Sequence, residues 1–402
     1  MANFEEQLAH STASGANIVP GCVLAAVDET GNRIYLNASG YTSVLPDAST
    51  MSTNNTFWIA SCTKIVGTIA ALQCVERGLI TLDEPVFQIL PELDGLQIIA
   101  MTDVADATSD QFKFTNSTKK ITLRQMLTHS DGSGCDIIYP TLIRWRASRG
   151  EQQVTLTGTL LKEPPAPLLF EPGEGWKYGD GVDWAAILVT RLNGNVSLED
   201  YMQENIFKPL GLTSTSFRLQ QHPEIKERLV SMTERQQDGT LKPAQHIWPE
   251  AAPEDCGGRG LYSTVQDFTA ILADLIKESP TILRRETVNQ MFRGQFAKGS
   301  AALKDLLNSR EFISPLTVTG DATAGFNFGL GGMYAEQQVG VWGKGTLFWG
   351  GLPNLYWFAN RDEGVAGIYA SEVLPPSDQT SRNLSMAFME EAFRLSRVTL
   401  QA

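Results

Sequence analysis

A serine and a lysine stand three positions apart in Ser61-Cys62-Thr63-Lys64, at the mouth of an apolar run that continues through Ile65, Val66, Ile69, Ala70, Ala71, Leu72, Cys74 and Val75. A charged lysine in such surroundings is costly without a partner or a chemical task. Residues i and i+3 share one helical face, so the spacing sets Ser61 at or near a first helical turn with Lys64 one turn below. A helix start offers free N–H groups and a positive dipole end, and both suit a developing oxyanion. A desolvated lysine can lose its proton near neutral pH and act as a base on the serine hydroxyl. A capping serine above a lysine that snorkels to water would explain the same residues, and the pair alone leaves both readings open.

Two further segments bear on that choice. In FEPGEGWKYGDGVDWAAILV, Tyr178 sits in a glycine-rich loop just before a helix expected near Gly181. A phenol there can point into a cleft, and beside a cationic lysine it could take and give a proton. A packing aromatic on a loop is the plainer alternative. In TLFWGGLPNLYWF, the pair Gly350-Gly351 follows Trp349 at the edge of a strand-like run. Paired glycines let another backbone or a substrate approach closely. An edge strand at that place could supply a second oxyanion N–H, unless the glycines mark only a bulge.

The elements that must position these residues are legible in outline. Val23–Val27 and Arg33–Leu36 flank the turn residues Asp28–Asn32 as a β-hairpin, and the stretch from Gly340 to Ser371 reads as two or three strands with a hairpin turn at Arg361–Gly364. A last helix is expected over 378–395. Between these ends, helical periodicity marks 64–77, 121–128, 181–193, 197–207, 264–277 and 283–292. Thr122 and Ser263 read as helix starts, and Gly78 and Gly194 as helix stops. Strands at both termini with helices between predict an α+β chain. Residues 1–56 together with 320–402 would form a sheet domain, with a mainly helical domain inserted over 57–319 and a site in the cleft between them.

The totals narrow the function classes. The chain has 402 residues, 42% hydrophobic and 19% charged, with a net charge of -13. That balance suits a globular protein with a large core. It argues against a nucleic-acid binder and gives no support to docking on an anionic membrane. The start MANFEEQLAHSTASG has no basic segment or apolar signal core, and the five cysteines show no paired spacing. A cytoplasmic protein with reduced thiols is expected. No G-x-S-x-G elbow, P-loop, clustered Cys/His set or calcium loop occurs, so no cofactor and no metal are expected. Of the four histidines, His129 reads as a structural residue at a helix end. Cys135 and Cys256, near glycine-rich turns, are expected to be ordinary thiols close to the cleft.

Taken together, Ser61-Cys62-Thr63-Lys64, Tyr178-Gly179-Asp180 and Trp349-Gly350-Gly351 resemble, in order, the S-x-x-K, Y-x-N and K-T-G or W-G-G motifs of the serine β-lactamase and penicillin-binding superfamily, in its class C and esterase branch. The connecting pieces LQCVERGLITLDEPV, ITLRQMLTHSDG, IFKPLGLTSTSF and GGRGLYSTVQDF are similar to that family as well, so the likeness runs over almost the whole chain. ALQCVERGL, YMQENIFKPLGLT, EDCGGRG and WGGLPN most resemble the lovastatin-type fungal acyltransferases of polyketide pathways. The resemblance implies a β-lactamase/transpeptidase-like antiparallel sheet with flanking helices. It implies that Ser61 is the nucleophile, Lys64 its base, Tyr178 the proton shuttle, and the N–H groups of Ser61 and Leu352 the oxyanion hole. Departures from the pattern are specific. Trp349 replaces the lysine that helps to hold β-lactam carboxylates. Asp180 replaces an asparagine and cannot donate its amide hydrogen bond. Cys135 stands where the transesterases have a second tyrosine, with Tyr139 four residues on.

The expected activity is therefore transfer of an acyl group from a thioester donor, through acyl-Ser61, to a hydroxyl or amine of a secondary metabolite. Hydrolysis is the alternative, ahead of a β-lactamase or a non-catalytic binding protein. Gly351, Leu352, Trp349, Cys135 and Asp180 are the expected substrate-side residues. The expected partners are a small-molecule acceptor and a thioester donor. An acyl carrier protein is a candidate donor, and Arg144, Arg146 and Arg149 are a candidate basic patch to dock it, with a solvated helix face as the plainer reading. Trp145, Trp176, Trp248, Trp349, Tyr356 and Trp357 are candidate walls of an apolar pocket.

Overall fold

The architecture follows from strand segments that are apolar on both faces. In the computed structural model, which describes residues 3–102, 112–161, 164–313 and 325–399, strands β1 (Gly21–Asp28) and β2 (Arg33–Gly40) form the N-terminal hairpin. Strands β3 (Phe326–Phe328), β4 (Met333–Ala335), β5 (Thr346–Gly351), β6 (Leu355–Asn360) and β7 (Val365–Ala370) follow near the C-terminus. They make one seven-stranded antiparallel sheet in the order β2-β1-β7-β6-β5-β4-β3. The two ends of the chain meet where β1 pairs β7, with Val23 opposite Ala370 and Asp28 opposite Val365. At the hairpin turn the Asp28 carboxylate accepts the N–H groups of Thr30 and Asn32, each at 2.9 Å, and Gly31 takes a φ of 86°.

Helices α1 (Thr63–Glu76), α2 (Gly181–Leu192), α3 (Val265–Ile276) and α4 (Gln379–Thr399) complete the frame. Successive strand residues face opposite sides of a sheet, and β6 shows the result. Trp357 meets Phe268 of α3 at 6.5 Å, whereas Phe358 meets Phe393 of α4 at 5.3 Å. The sheet is thus covered on both faces, which explains why β1, β6 and β7 are apolar without alternation. Helix α3 comes from the stretch 57–319 yet lies across the sheet. The expected boundary near residue 320 lies outside the described residues.

Helix α1 is buried from Thr63 to Cys74 and packs on α2. Thr122 caps its helix as expected, in a reciprocal box with Gln125. The other expected start shifts by one residue. Ser263 lies inside the strand Tyr262–Thr264, and Thr264 caps α3 by accepting the Asp267 N–H at 3.1 Å. The β-hairpin of Gln97–Met101 with Phe112–Asn116 interrupts the stretch read as helical. Its strands are short and largely exposed, so they carry little periodicity.

Candidate active site

The strand Thr56–Trp58 pairs with Tyr262–Thr264 and delivers the chain into a tight 3-10 turn, Ala60–Cys62, directly before α1. Ala60 holds a φ of 44°, in the left-handed region that a residue with a Cβ seldom enters. Ser61 follows it, partly exposed. Its side chain caps no helix: neither the turn nor α1 has a side-chain cap bond. The Tyr178 hydroxyl instead donates to Ser61 Oγ at 2.6 Å. Lys64 does not snorkel. It is 3% exposed, its Nζ donates to the Gly258 carbonyl at 2.7 Å, and it lies 4.7 Å from the centre of the Tyr178 ring.

Tyr178 is held by its own loop. The Lys177 N–H donates to the His129 carbonyl at 3.1 Å, and the Gly179 N–H donates to His129 Nδ1 at 3.2 Å. His129 is fully buried with a φ of 57°. Burial holds its pKa well below the usual value, and the Lys64 and Arg259 charges push the same way. The ring is therefore neutral, and with Nδ1 accepting, its proton sits on Nε2. His129 has a positional task, because it fixes the backbone on both sides of the tyrosine. The phenol ring packs against His129 at 4.7 Å, Phe312 at 5.1 Å and Trp349 at 5.4 Å.

Asp180 occupies the N-cap position of α2 without capping it. Its carboxylate pairs with Arg259, which also pairs with Asp183 and donates to the Thr155 carbonyl at 2.6 Å. The Cys135 thiol points at the same Asp180 oxygen at 3.5 Å. Asp183 in turn accepts the Gly258 N–H at 2.9 Å, and Gly258 carries the carbonyl that receives Lys64. Burial raises the Asp180 pKa against the pull of Arg259. Burial works to lower that of Arg259, and Asp183 and Asp180 more than offset it. The guanidinium is therefore permanently charged between two carboxylates. Glycines make this packing possible: a Cβ on Gly67 of α1 would lie 2.5 Å from the Gly257 carbonyl, and one on Gly258 would lie 2.5 Å from Asp183.

The end of β5 forms the opposite wall. It is not an edge strand in the sheet as a whole, since β4 pairs with it at Leu347 and Phe348. Beyond Phe348, Trp349–Gly351 run past the end of β4 and pair only with β6, so this tip presents a free backbone edge among the described residues. A Cβ on Gly351 would sit 2.7 Å from the Ile59 carbonyl and 3.3 Å from Cys62 Sγ. Glycine is therefore what lets the strand lie against the turn that bears Ser61. Leu352 follows and lines the cleft with Ser61. The turn after it is clamped by Asn354, which donates to the carbonyls of Val373 and Pro375 at 2.8 Å and accepts the Tyr356 hydroxyl at 2.8 Å.

These walls enclose a cleft of about 410 Å³. Ser61, Lys64, Tyr178, Cys135, Trp349, Gly351 and Leu352 all line it, while Asp180 lies behind the Cys135 and Arg259 side chains. Of the expected aromatic walls only Trp349 and Tyr356 line it, and Trp145, Trp176, Trp248 and Trp357 pack in the interior. Trp58, Phe312 and Arg259 are cleft residues that sequence reasoning missed. For Arg259 a signal was present: an arginine directly after two glycines in EDCGGRG marks a charge brought close to another backbone. Cys135 reaches the cleft and Cys256 does not; burial raises both thiols well above their usual pKa, with Asp180 adding to the rise at Cys135 and Asp183 at Cys256. The expected arginine patch is corrected. Arg146 is buried and pairs with Asp136 and Glu151, and Arg149 also pairs with Glu151.

This fold and site have clear relatives. The family model described as Beta-lactamase matches residues 3–388, and the chain belongs to that family. It is 36% identical to the protein named Acyltransferase calJ of Penicillium decumbens, over 97% of each chain. It is 32% identical to the Lovastatin esterase of Penicillium rubens, over 94% of each. Among solved structures, a mutant simvastatin synthase from Aspergillus terreus superposes with a TM-score of 0.85 at 30% identity, covering 98% of this chain and 97% of that one.

Proposed function

We propose that this acyltransferase of the beta-lactamase fold works through an acyl-Ser61 intermediate, with Lys64 and Tyr178 moving the protons. The observation that carries the reading is the 2.6 Å contact between the Tyr178 hydroxyl and Ser61 Oγ, with the buried Lys64 beside the same ring. Lys64 acts as the base that takes the Ser61 proton, and Tyr178 keeps the proton it points at Ser61 Oγ for the leaving group. Ser61 Oγ then attacks the carbonyl of a thioester. The N–H groups of Ser61 and Leu352 hold the oxyanion, and the free backbone edge at the tip of β5 supports that role for Leu352. Tyr178 gives a proton to the departing thiol and takes one from the acceptor hydroxyl or amine, which receives the acyl group. Ser61 regains its proton as the product leaves.

The site would lie between a sheet lobe built from both ends of the chain, with α3 packed on its face, and a mainly helical lobe from the rest of 57–319. The relatives named for acyl transfer support a fungal polyketide-type acceptor, and a carrier protein remains a candidate donor. The cytoplasmic reading rests on the sequence; among the described residues no helix is long and apolar enough to cross a membrane. Hydrolysis is the second reading, and the esterase relative favours keeping it. Product analysis separates the two. With a short acyl thioester and a panel of alcohols, transfer predicts ester in excess of free acid. Free acid alone at every alcohol concentration would make the protein a hydrolase.

A further inference from the structure

Resting on the acyl-transfer reading, we infer that Glu372 is a positioning residue for the oxyanion hole, joining the turn after Leu352 to the strand that leads into Ser61. Glu372 lies in a strap, Ser371 to Pro375, that directly follows β7. The backbone of this strap clamps the turn. The Val373 N–H donates to the Pro353 carbonyl at 3.1 Å, and the Ser371 hydroxyl donates to the Asn354 carbonyl at 3.1 Å. The Val373 and Pro375 carbonyls receive the Asn354 amide. The Glu372 carbonyl in turn accepts the Thr233 N–H at 2.8 Å, so the strap is tied to a second segment as well. Pro376 and Ser377, just beyond it, line the cleft.

The Glu372 side chain reaches the strand Thr56–Trp58. There the Ile59 N–H is taken by the Leu261 carbonyl at 3.0 Å, so the alternation of an antiparallel pair turns the Trp58 N–H away from Tyr262. That N–H faces the Glu372 carboxyl. The acid is 2% exposed, and neither of its oxygens has a well-formed hydrogen bond. Burial raises its pKa well above the usual range, the Trp58 N–H alone pulls the other way, and no cation is among the groups that act on it. The titratable groups that feel its charge are the Cys62 thiol, directly after Ser61, and the Tyr262 phenol. The carboxyl is therefore neutral, with one oxygen to accept and an O–H to donate. A buried polar group so poorly partnered costs stability. Its place gives that cost a use, because it ties together the two backbones that bear the Ser61 and Leu352 N–H groups.

The test sets rate against stability. Glu372→Leu, or Glu372→Met if the first variant does not fold, removes the polar head and keeps the bulk. A carboxyl that merely fills space predicts a Tm at or above that of wild type and an unchanged kcat. A positioning role predicts the same Tm, with kcat for transfer from a short acyl thioester lowered on the order of tenfold and KM within about twofold. Glu372→Gln keeps an acceptor and a donor without the ionisation, and it should hold kcat within about twofold of wild type. An unchanged kcat in the apolar variant, a glutamine variant equally slow, or a kcat loss matched by a lower Tm overturns this inference alone. No acyl adduct on the wild-type protein with any donor, read by intact-protein mass, overturns the acyl-transfer reading, and this inference with it.

Discussion

Tyr178 and Ser61, separated by 117 positions in the chain, meet oxygen to oxygen at 2.6 Å. The contact joins a loop pinned on both sides by His129 to a turn strained at Ala60. If the phenol carries protons, removing its oxygen while keeping the ring should cost rate and leave packing intact. Tyr178→Phe should lower kcat by roughly 10²- to 10⁴-fold with little change in Tm. Steady-state kinetics and thermal melting measure both quantities, and a near-normal kcat would remove Tyr178 from the chemistry.

Lys64 is buried on a backbone carbonyl, where shape and charge both matter. Lys64→Met should retain the hydrocarbon stem and lose activity by about 10³-fold or more. Lys64→Arg should not rescue it, because a guanidinium is larger and does not surrender its proton. Burst kinetics with a chromogenic thioester would show the acylation phase itself slowed. A lost steady state with a normal burst would place Lys64 in deacylation only.

Gly351 is a test of geometry. Adding a methyl group there brings it within 2.7 Å of the Ile59 carbonyl, so the strand must retreat from the Ser61 turn. Gly351→Ala should cost about 1–3 kcal/mol of stability. It should lower kcat more than it raises KM, since the oxyanion donors move relative to Ser61. Denaturant melts and kinetics on the same preparation separate the two effects.

Asp131 gives a pH signature. It is buried near Asp180, and burial first, then the Asp180 charge, raise its pKa to about 7 against the hydrogen bonds of Ser133. The folded state therefore binds a proton that the unfolded chain has released, from the ordinary aspartate range up to about pH 7. Stability falls as pH rises through that window and levels off above it. Asp131→Asn removes the ionisation, so it should stabilise the protein relative to wild type by up to roughly 4 kcal/mol well above pH 7, with the gain shrinking toward zero near pH 4. Urea melts across this range measure the difference. A gain independent of pH would show that Asp131 does not titrate in this way.

Much of the frame was readable from local pattern. The terminal hairpin, the strands β5 to β7 and the helices α1, α2, α3 and α4 all rest on runs whose periodicity or uniform burial is visible over six or more residues, helped by turns with their own chemistry at Asp28 and Gly364. Ser61, Lys64, Tyr178 and the Trp349–Gly351 tip could be singled out because each sits in a distinctive short motif, and the structure brings them to one cleft. What escaped depends on contacts between distant segments. Arg259 matters because Asp180 and Asp183 arrive from α2, Phe312 because it covers Tyr178 and Trp349, and His129 because its ring and carbonyl grip another loop. Arg146 misled for the converse reason. Its partners Asp136 and Glu151 bury it, although the spacing alone suggests an exposed helix face.

The most direct test of the central claim is intact-protein mass spectrometry after mixing with a panel of short acyl thioesters, wild type beside Ser61→Ala. Acylation of Ser61 predicts one acyl increment on wild type, lost on adding an acceptor alcohol, and none on the variant, which should melt at the same temperature. An equal increment on Ser61→Ala, or none on wild type with any donor, would contradict a serine acyl-enzyme.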